Sequence, residues 1–241
     1  MSISPTSTQD YYDRFSQTYE RERHHGYHRM LDELEGQLIA RYGRNRDVFE
    51  AGCGTGLLLR EASRTAKSTT GLDLSRGMLS TARQRGLNVI QGSVTSVPLP
   101  DACMDLVYSM KVLAHVPSIK DAVAELTRVV RPGGHLLLEF YNPWSLRYLI
   151  KKYGGPQSIN NSTTDHDVFT RYDTVAQATS YLPDNVELVG TRGVRIFTPA
   201  SSVFKVALAG RLFSWAEHKA CDVPWLRDLA GFVILIARKK A

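Results

Sequence analysis

The sequence predicts an α/β fold in which a parallel sheet is covered by crossover helices. Three observations point there. From residue 47 onward, short β-branched runs alternate with helical patterns, as strand–helix–strand units require. A glycine-rich turn, Gly52-Cys-Gly54-Thr-Gly56, joins the first of those strands to the first of those helices. The chain has 241 residues, 43% of them hydrophobic, which is enough for a sizeable core and sets aside disorder, collagen and a disulfide scaffold.

Taken in order, residues 8–42 read as helical, with Met30, Leu31, Leu34, Leu38 and Tyr42 spaced for one buried stripe. Residues 47–51 form the first strand and 57–66 a helix; 68–73 form the second strand, followed by a helix over 75–85 that Ser75 can cap. A third strand covers 87–91 and a fourth 104–109. The helix over 119–130 ends at Arg131-Pro-Gly-Gly134, whose proline and glycines cannot continue it. Residues 135–141 make the fifth strand, and their continuous apolar run suits a strand covered on both faces. Residues 142–185 are aromatic, polar and broken by Gly and Pro, too long for a plain connection and therefore expected to be functional. A strand at 186–196, a helix at 202–217 and a last strand at 231–238 complete the chain. Phe204, Leu208 and Leu212 fall on one stripe of that late helix, which is expected to pack on the sheet, with contact to a membrane surface as the alternative.

Composition excludes several functions. No apolar run approaches the roughly 18–20 residues needed to span a bilayer. The first ten residues carry neither a basic n-region nor an apolar h-region, so a soluble cytoplasmic protein is expected. Three cysteines without metal-ligand spacing fit a reducing compartment. The net charge of +6 is a weak field for nucleic acid, and nearly all of it lies after residue 140, where 13 basic face 8 acidic residues. Three of those charges, Arg238, Lys239 and Lys240, read as a solvated tail.

The glycine turn is the most informative stretch. A dinucleotide fingerprint needs G-x-G-x-x-G, whereas the spacing here is G-x-G-x-G, with Glu50 two residues before the first glycine. A pyrophosphate beside Glu50 would be repelled; a ligand carrying an ammonium and a sulfonium would not. Asp73 ends the second strand, 21 residues after Gly52, where an open α/β sheet places the carboxylate that receives ribose hydroxyls. A cationic, ribose-bearing, phosphate-free cofactor satisfies both acids, and S-adenosylmethionine is such a molecule.

The pattern resembles the class I S-adenosylmethionine-dependent methyltransferases of small-molecule type, including those of quinone biosynthesis. The matching pieces are Glu50–Gly56, Leu72-Asp-Leu-Ser75 with Met78-Leu79, Gly92-Ser-Val94 with Val97-Pro-Leu-Pro100, Met104–Val107, Leu113-Ala-His-Val116 and Arg128–Gly134. The resemblance implies a Rossmann-like, doubly wound seven-stranded sheet with an antiparallel last strand. It implies one domain with a helical lid (1–46), a cofactor-binding core (47–140), an acceptor-side insertion after the fifth strand (141–200), and a last helix and strand (201–241). Carried over, Glu50, Gly52, Cys53, Gly54 and Gly56 would surround the methionine part, and Asp73 would hold the ribose. Leu74 and Met78 would pack on adenine, Gly92, Ser93 and Val94 would meet its edge, and Ser109 would end the fourth strand at the cofactor. Tyr11-Tyr-Asp-Arg-Phe-Ser-Gln-Thr-Tyr19 resembles a segment that caps the cofactor in such enzymes, which brings Tyr11 and Tyr19 near the transferred methyl.

His115 follows the fourth strand, where the acceptor is expected, and is a candidate general base with a substrate-contact role as the alternative. Tyr141, Trp144 and Tyr172 are candidates for the acceptor wall. His24, His25 and His28 lack the further ligands that zinc requires, so no metal is expected. Asn142-Pro-Trp144 is similar to a nucleic-acid amino-methyltransferase motif but follows the fifth strand instead of the fourth, and is set aside. The expected activity is therefore methyl transfer from S-adenosylmethionine to the O, N or C atom of a small molecule, with a homodimer left open. An RNA or protein methyltransferase and a non-catalytic cofactor-binding regulator are the alternatives.

Overall fold

A computed structural model of the chain describes residues 5–16, 19–20, 23, 26–154, 158–160, 163–164 and 169–241. The expected helix over 8–42 is two helices, α1 (Pro5–Phe15) and α2 (Tyr27–Gly43), the second beginning after Gly26, which adopts φ 25°. The core then alternates as the sequence predicts: β1 (Asp47–Ala51), α3 (Leu57–Ala62), β2 (Ser68–Asp73), α4 (Arg76–Gln84), β3 (Val89–Gln91), β4 (Met104–Ser109), α5 (Ile119–Val129) and β5 (Val130–Tyr141). Residues 142–185 hold α6 (Leu146–Gly154), a short hairpin (Ser158–Asn160 with Thr163–Thr164) and α7 (Val175–Thr179). The chain continues through β6 (Val186–Val194), α8 (Ala207–Ala220), α9 (Pro224–Arg227) and β7 (Phe232–Lys239).

The seven long strands form one sheet in the order β3-β2-β1-β4-β5-β7-β6, with β7 antiparallel to both of its neighbours. Alternation along the strands builds a core on each face. Leu106 and Tyr108 of β4 join Leu34 and Leu38 of α2 on one side, while Val107 joins Val123 and Leu126 of α5 on the other. The strand order reverses between β1 and β4, so their carboxyl ends splay and leave a crevice.

Three expectations are corrected. Arg131-Pro-Gly-Gly134 ends α5 but does not precede the fifth strand; it lies inside β5, where the β4–β5 register shifts. Gly133 has φ 78°, and a Cβ at Gly134 would stand 2.8 Å from the Asp105 carbonyl oxygen, so the glycines form a bulge against β4. Of the expected stripe, Phe204 precedes α8 and packs against Tyr27 and the core, whereas Leu208 and Leu212 on α8 are turned outward, 79% and 61% exposed, and the buried positions of α8 are Gly210, Glu217 and Ala220. The reason is polar. The buried Glu217 carboxylate accepts the N–H groups of Ile196, Phe197 and Thr198 and the Thr198 hydroxyl, at 2.7–3.0 Å, and so sets the rotation of the helix. Finally, the C-terminal basic run is not a free tail. Lys239 Nζ donates to the Thr127 and Val130 carbonyls at 2.9 and 2.8 Å, closing the end of α5, and Lys240 Nζ donates to Asp184 O at 2.7 Å.

Among the described residues no helix is long and apolar enough to cross a membrane.

Candidate active site

A cavity of about 660 Å³ opens at the carboxyl ends of β1, β2 and β4, roofed by α1 and flanked by the segment after β5. Its floor is the glycine turn. Gly52, Gly54 and Gly56 all have positive φ (80°, 53° and 81°), but for different reasons. A Cβ at Gly52 would stand 2.2 Å from Val112, and one at Gly56 2.3 Å from Leu87, so these two glycines permit close packing. At Gly54 the nearest atom is the Met78 sulfur at 4.0 Å, which leaves its Cα face open to the cavity.

Four of the turn's amides, those of Gly52, Cys53, Gly54 and Gly56, are engaged internally. The Gly52 and Cys53 N–H groups both bond the Leu72 carbonyl, at 2.7 and 2.9 Å. Gly54 N–H donates to Asp73 Oδ2 at 2.8 Å, and Gly56 N–H to Cys53 O at 2.8 Å. A phosphate cradle needs those amides pointing at the ligand, so this loop is not one. Both oxygens of Asp73 are fixed, Oδ1 by Ser75 N–H at 2.9 Å; Ser75, not Asp73, caps α4 by accepting from Met78 N–H. Burial raises the Asp73 carboxyl pKa against these stabilising bonds. Burial likewise holds Glu50 well above its ordinary value, with Tyr108 Oη donating to its Oε2 at 3.0 Å.

Leu74, Met78, Gly92, Ser93 and Val94 border the same cavity. Gly92 is required by packing, since a Cβ there would meet Leu72 at 2.9 Å. The Ser93 hydroxyl closes its own turn with Thr95, at 2.7 Å to the hydroxyl and 3.2 Å to the N–H. Cys53 also borders the cavity, but its side chain packs with Leu59 and Leu79 and burial pushes its thiol pKa up.

Two expected residues lie elsewhere. Ser109 does not line the cavity; it is fully buried and donates to the Ala51 carbonyl at 2.9 Å, tying β4 to β1. Trp144 is 70% exposed and outside the lining. Asn142 explains why: its amide donates to the Asp228 and Ala230 carbonyls while its oxygen accepts Trp144 N–H, turning the chain outward right after β5.

The roof is docked by a residue the sequence did not single out. Asp13 of α1 accepts the Ser75 hydroxyl and, at 2.9 Å, Gly77 N–H, placing a carboxylate on the first turn of α4. Glu20 pairs with Arg85 at 2.6 Å, and Arg85 also donates to the Thr55 carbonyl, so the roof is tied to the glycine turn. Tyr11, Tyr12, Phe15 and Tyr19 face the cavity from this roof. Tyr19 accepts from Arg23 at 2.6 Å, and Arg23 pairs with Asp32 at 2.7 Å. Burial raises the phenol pKa values of Tyr12, Tyr19 and Tyr141, so these rings act as donors and walls rather than as bases.

On the far side, Tyr141 is a hub. His115 meets its ring edge-on at 5.7 Å, Tyr172 lies at 6.0 Å, and the Arg147 guanidinium sits over it at 4.8 Å. His115 Nδ1 is 2.9 Å from the Phe169 carbonyl. A carbonyl can only accept, so Nδ1 carries the proton and Nε2 is the nitrogen able to take one. Below, Lys111 lies between Glu35 and Glu139: it pairs with Glu35, and its N–H donates to Glu139 at 3.1 Å. His24 and His25 lie outside the described residues, and His28 packs edge-on against Tyr27.

The sheet order with its antiparallel strand is the fold of solved S-adenosylmethionine-dependent methyltransferases, and residues 49–138 match the family described as methyltransferase domain. The chain is 42% identical over 104 residues to a malonyl-[acyl-carrier protein] O-methyltransferase of Serratia marcescens, covering 42% of this chain and 41% of that protein. It is 32% identical over 136 residues to a ubiquinone biosynthesis O-methyltransferase of Alkalilimnicola ehrlichii, covering 52% and 55%. The aligned stretches thus span roughly half, or less, of the relatives' length. A solved S-adenosylmethionine-dependent methyltransferase of Thermotoga maritima, described as a possible histamine N-methyltransferase, shares the fold over 95% of this chain and 98% of its own, with a TM-score of 0.71 at 19% identity.

Proposed function

We propose that the chain transfers a methyl group from S-adenosylmethionine to a small-molecule acceptor. The observation that carries this reading is the glycine turn: four of its amides are turned inward while two carboxylates, Glu50 and Asp73, border the open face at Gly54. That arrangement suits a ligand with a cationic end and a hydroxyl-bearing ring, and disfavours nucleotide phosphates. Relatives named as O-methyltransferases, similar over 104 and 136 residues, support it.

When bound, S-adenosylmethionine would supply a methyl made electrophilic by its sulfonium. Glu50 would receive the ammonium, Asp73 the ribose hydroxyls, and Leu74 and Met78 the adenine face, with Gly92, Ser93 and Val94 along its edge. The chain's remaining task is to align a nucleophile and exclude water. Tyr11 and Tyr19 on the roof, with Tyr141 and Tyr172 opposite, form the wall that does both. His115, with Nδ1–H anchored on Phe169, is placed to take a proton at Nε2 from an acceptor that must lose one. We read the chain as one functional unit, residues 1–46 acting as lid and 141–200 selecting the acceptor, working in the cytoplasm on a small molecule. The C-terminal basic residues do not favour a polyanion grip, since Arg171 and Arg192 are paired with Asp173 and Asp222, and Lys239 with backbone carbonyls.

His115→Ala separates the roles. Affinity for S-adenosylhomocysteine should stay within about twofold, while kcat falls by about 100-fold or more, the range of a lost general base. A loss of cofactor affinity would move His115 into that half of the cavity.

A further inference from the structure

At the acceptor end of the cavity two polar groups are left over. Arg147 Nη1 and Tyr172 Oη are both buried and make no hydrogen bond among the described residues, although each residue lines the cavity. Burying a donor without an acceptor is costly, and native sites that do so commonly have a ligand to satisfy it. Nor does Arg147 form an ion pair among the described residues. Its guanidinium lies instead against two adjoining rings, 4.8 Å from the Tyr141 centroid and 5.0 Å from that of Phe232, which restrains its orientation. Tyr172 leans on the same Tyr141 ring and on Tyr148, at 6.0 and 4.7 Å.

The nearby acids do not cancel the charge. Glu35 pairs with Lys111, and Glu139 accepts the Lys111 N–H while burial pushes its carboxyl pKa up. Arg195 stands close enough that Arg147 depresses its pKa, which burial already lowers, so a second cation lies on this side. The two leftover donors therefore lack an acid bonded to them among the described residues and line the cavity together with His115.

We propose that the methyl acceptor carries a carboxylate, which Arg147 and Tyr172 receive at the end of β5. The inference rests on the methyltransferase reading and adds the substrate class. A planar guanidinium with a restrained orientation binds a carboxylate through two parallel bonds, and the Tyr172 hydroxyl supplies a third.

The test is calorimetric titration of benzoate, hexanoate and glutarate, and of their amides, into protein saturated with S-adenosylhomocysteine. At least one carboxylate should bind, with its amide weaker by 10-fold or more. Arg147→Met, which keeps an apolar stem against the two rings, should weaken that carboxylate by about 10- to 100-fold, as the loss of charge-assisted bonds does. Arg147→Lys should recover part of the loss, Tyr172→Phe should cost less, and S-adenosylhomocysteine should bind all three variants within about twofold of wild type. Binding of no carboxylate in the panel, equal binding of the amides, or an unaffected Arg147→Met variant overturns the inference and leaves the methyltransferase reading standing. Loss of S-adenosylhomocysteine affinity in Arg147→Met also overturns it, by assigning Arg147 to the cofactor's own carboxylate. Failure of wild type to bind S-adenosylhomocysteine overturns both.

Discussion

At the scale of single residues, Glu50 and Asp73 are the acids proposed to hold the cofactor, and the burial of Glu50 gives that proposal a measurable signature. In the free protein burial raises the Glu50 carboxyl well above its ordinary range, and a bound ammonium favours its ionised form. Binding should therefore expel a proton, and affinity should rise with pH until Glu50 is ionised in the free protein. Calorimetry of S-adenosylhomocysteine in buffers of different ionisation enthalpy reads that proton directly, and Glu50→Gln should abolish it. Both acids were legible in the sequence because their distance from the glycine turn is fixed by strand length. Asp13, Arg147 and Lys111 were not. Their roles depend on how a helix docks or on which way a loop residue turns, and Lys111 reaches Glu35 only because it adopts φ 61° after β4. Ser109 failed for a simpler reason. Alternation along β4 decides which side a residue faces, and with the strand covered on both sides the apolar pattern does not reveal it.

Among the elements, α1 is the one whose position matters most, since it brings the roof tyrosines over the cavity. Its docking depends on Asp13 at the start of α4 and on Gly77, where a Cβ would stand 2.5 Å from Ser16 Oγ. Asp13→Ala should weaken S-adenosylhomocysteine by about 5-fold or more, from the ~1 kcal/mol that a carboxylate at a helix N-terminus contributes, and should speed proteolysis within residues 1–26. Little change in melting temperature is expected, because among the described residues none from α1 belongs to the two main core clusters. The strands and core helices were readable from periodicity, to within a few residues at their ends. α8 was misread since its apolar stripe is a true feature of the sequence but does not set its rotation; Glu217, bonded to three backbone amides, does.

For the whole molecule, the sheet places a cavity at its switch point and a buried ionic cluster, Glu35, Lys111 and Glu139, directly beneath. Two acids share one lysine, and Glu139 keeps a proton in the folded state up to about 8 that the unfolded chain releases near 4.5. Folding stability from this group is thus complete below 4.5 and is lost as pH rises toward 8. Glu139→Gln should flatten the fall in melting temperature across that interval, while leaving the acid side, set by carboxyls held low such as Asp47 beside Ser68 and Glu125 beside Arg128, unchanged. The seven-stranded order followed from motifs spread along residues 47–140, whereas the acceptor side, built from rings converging on Tyr141, has no sequence spacing that announces it. If the inward-turned glycine loop and its two acids form an S-adenosylmethionine site, calorimetric titration of S-adenosylhomocysteine should give one site per chain with micromolar affinity, weakened about 10-fold or more in Asp73→Ala through loss of charge-assisted hydrogen bonds. Absence of binding at millimolar concentration, or equal affinity in wild type and Asp73→Ala, would contradict it.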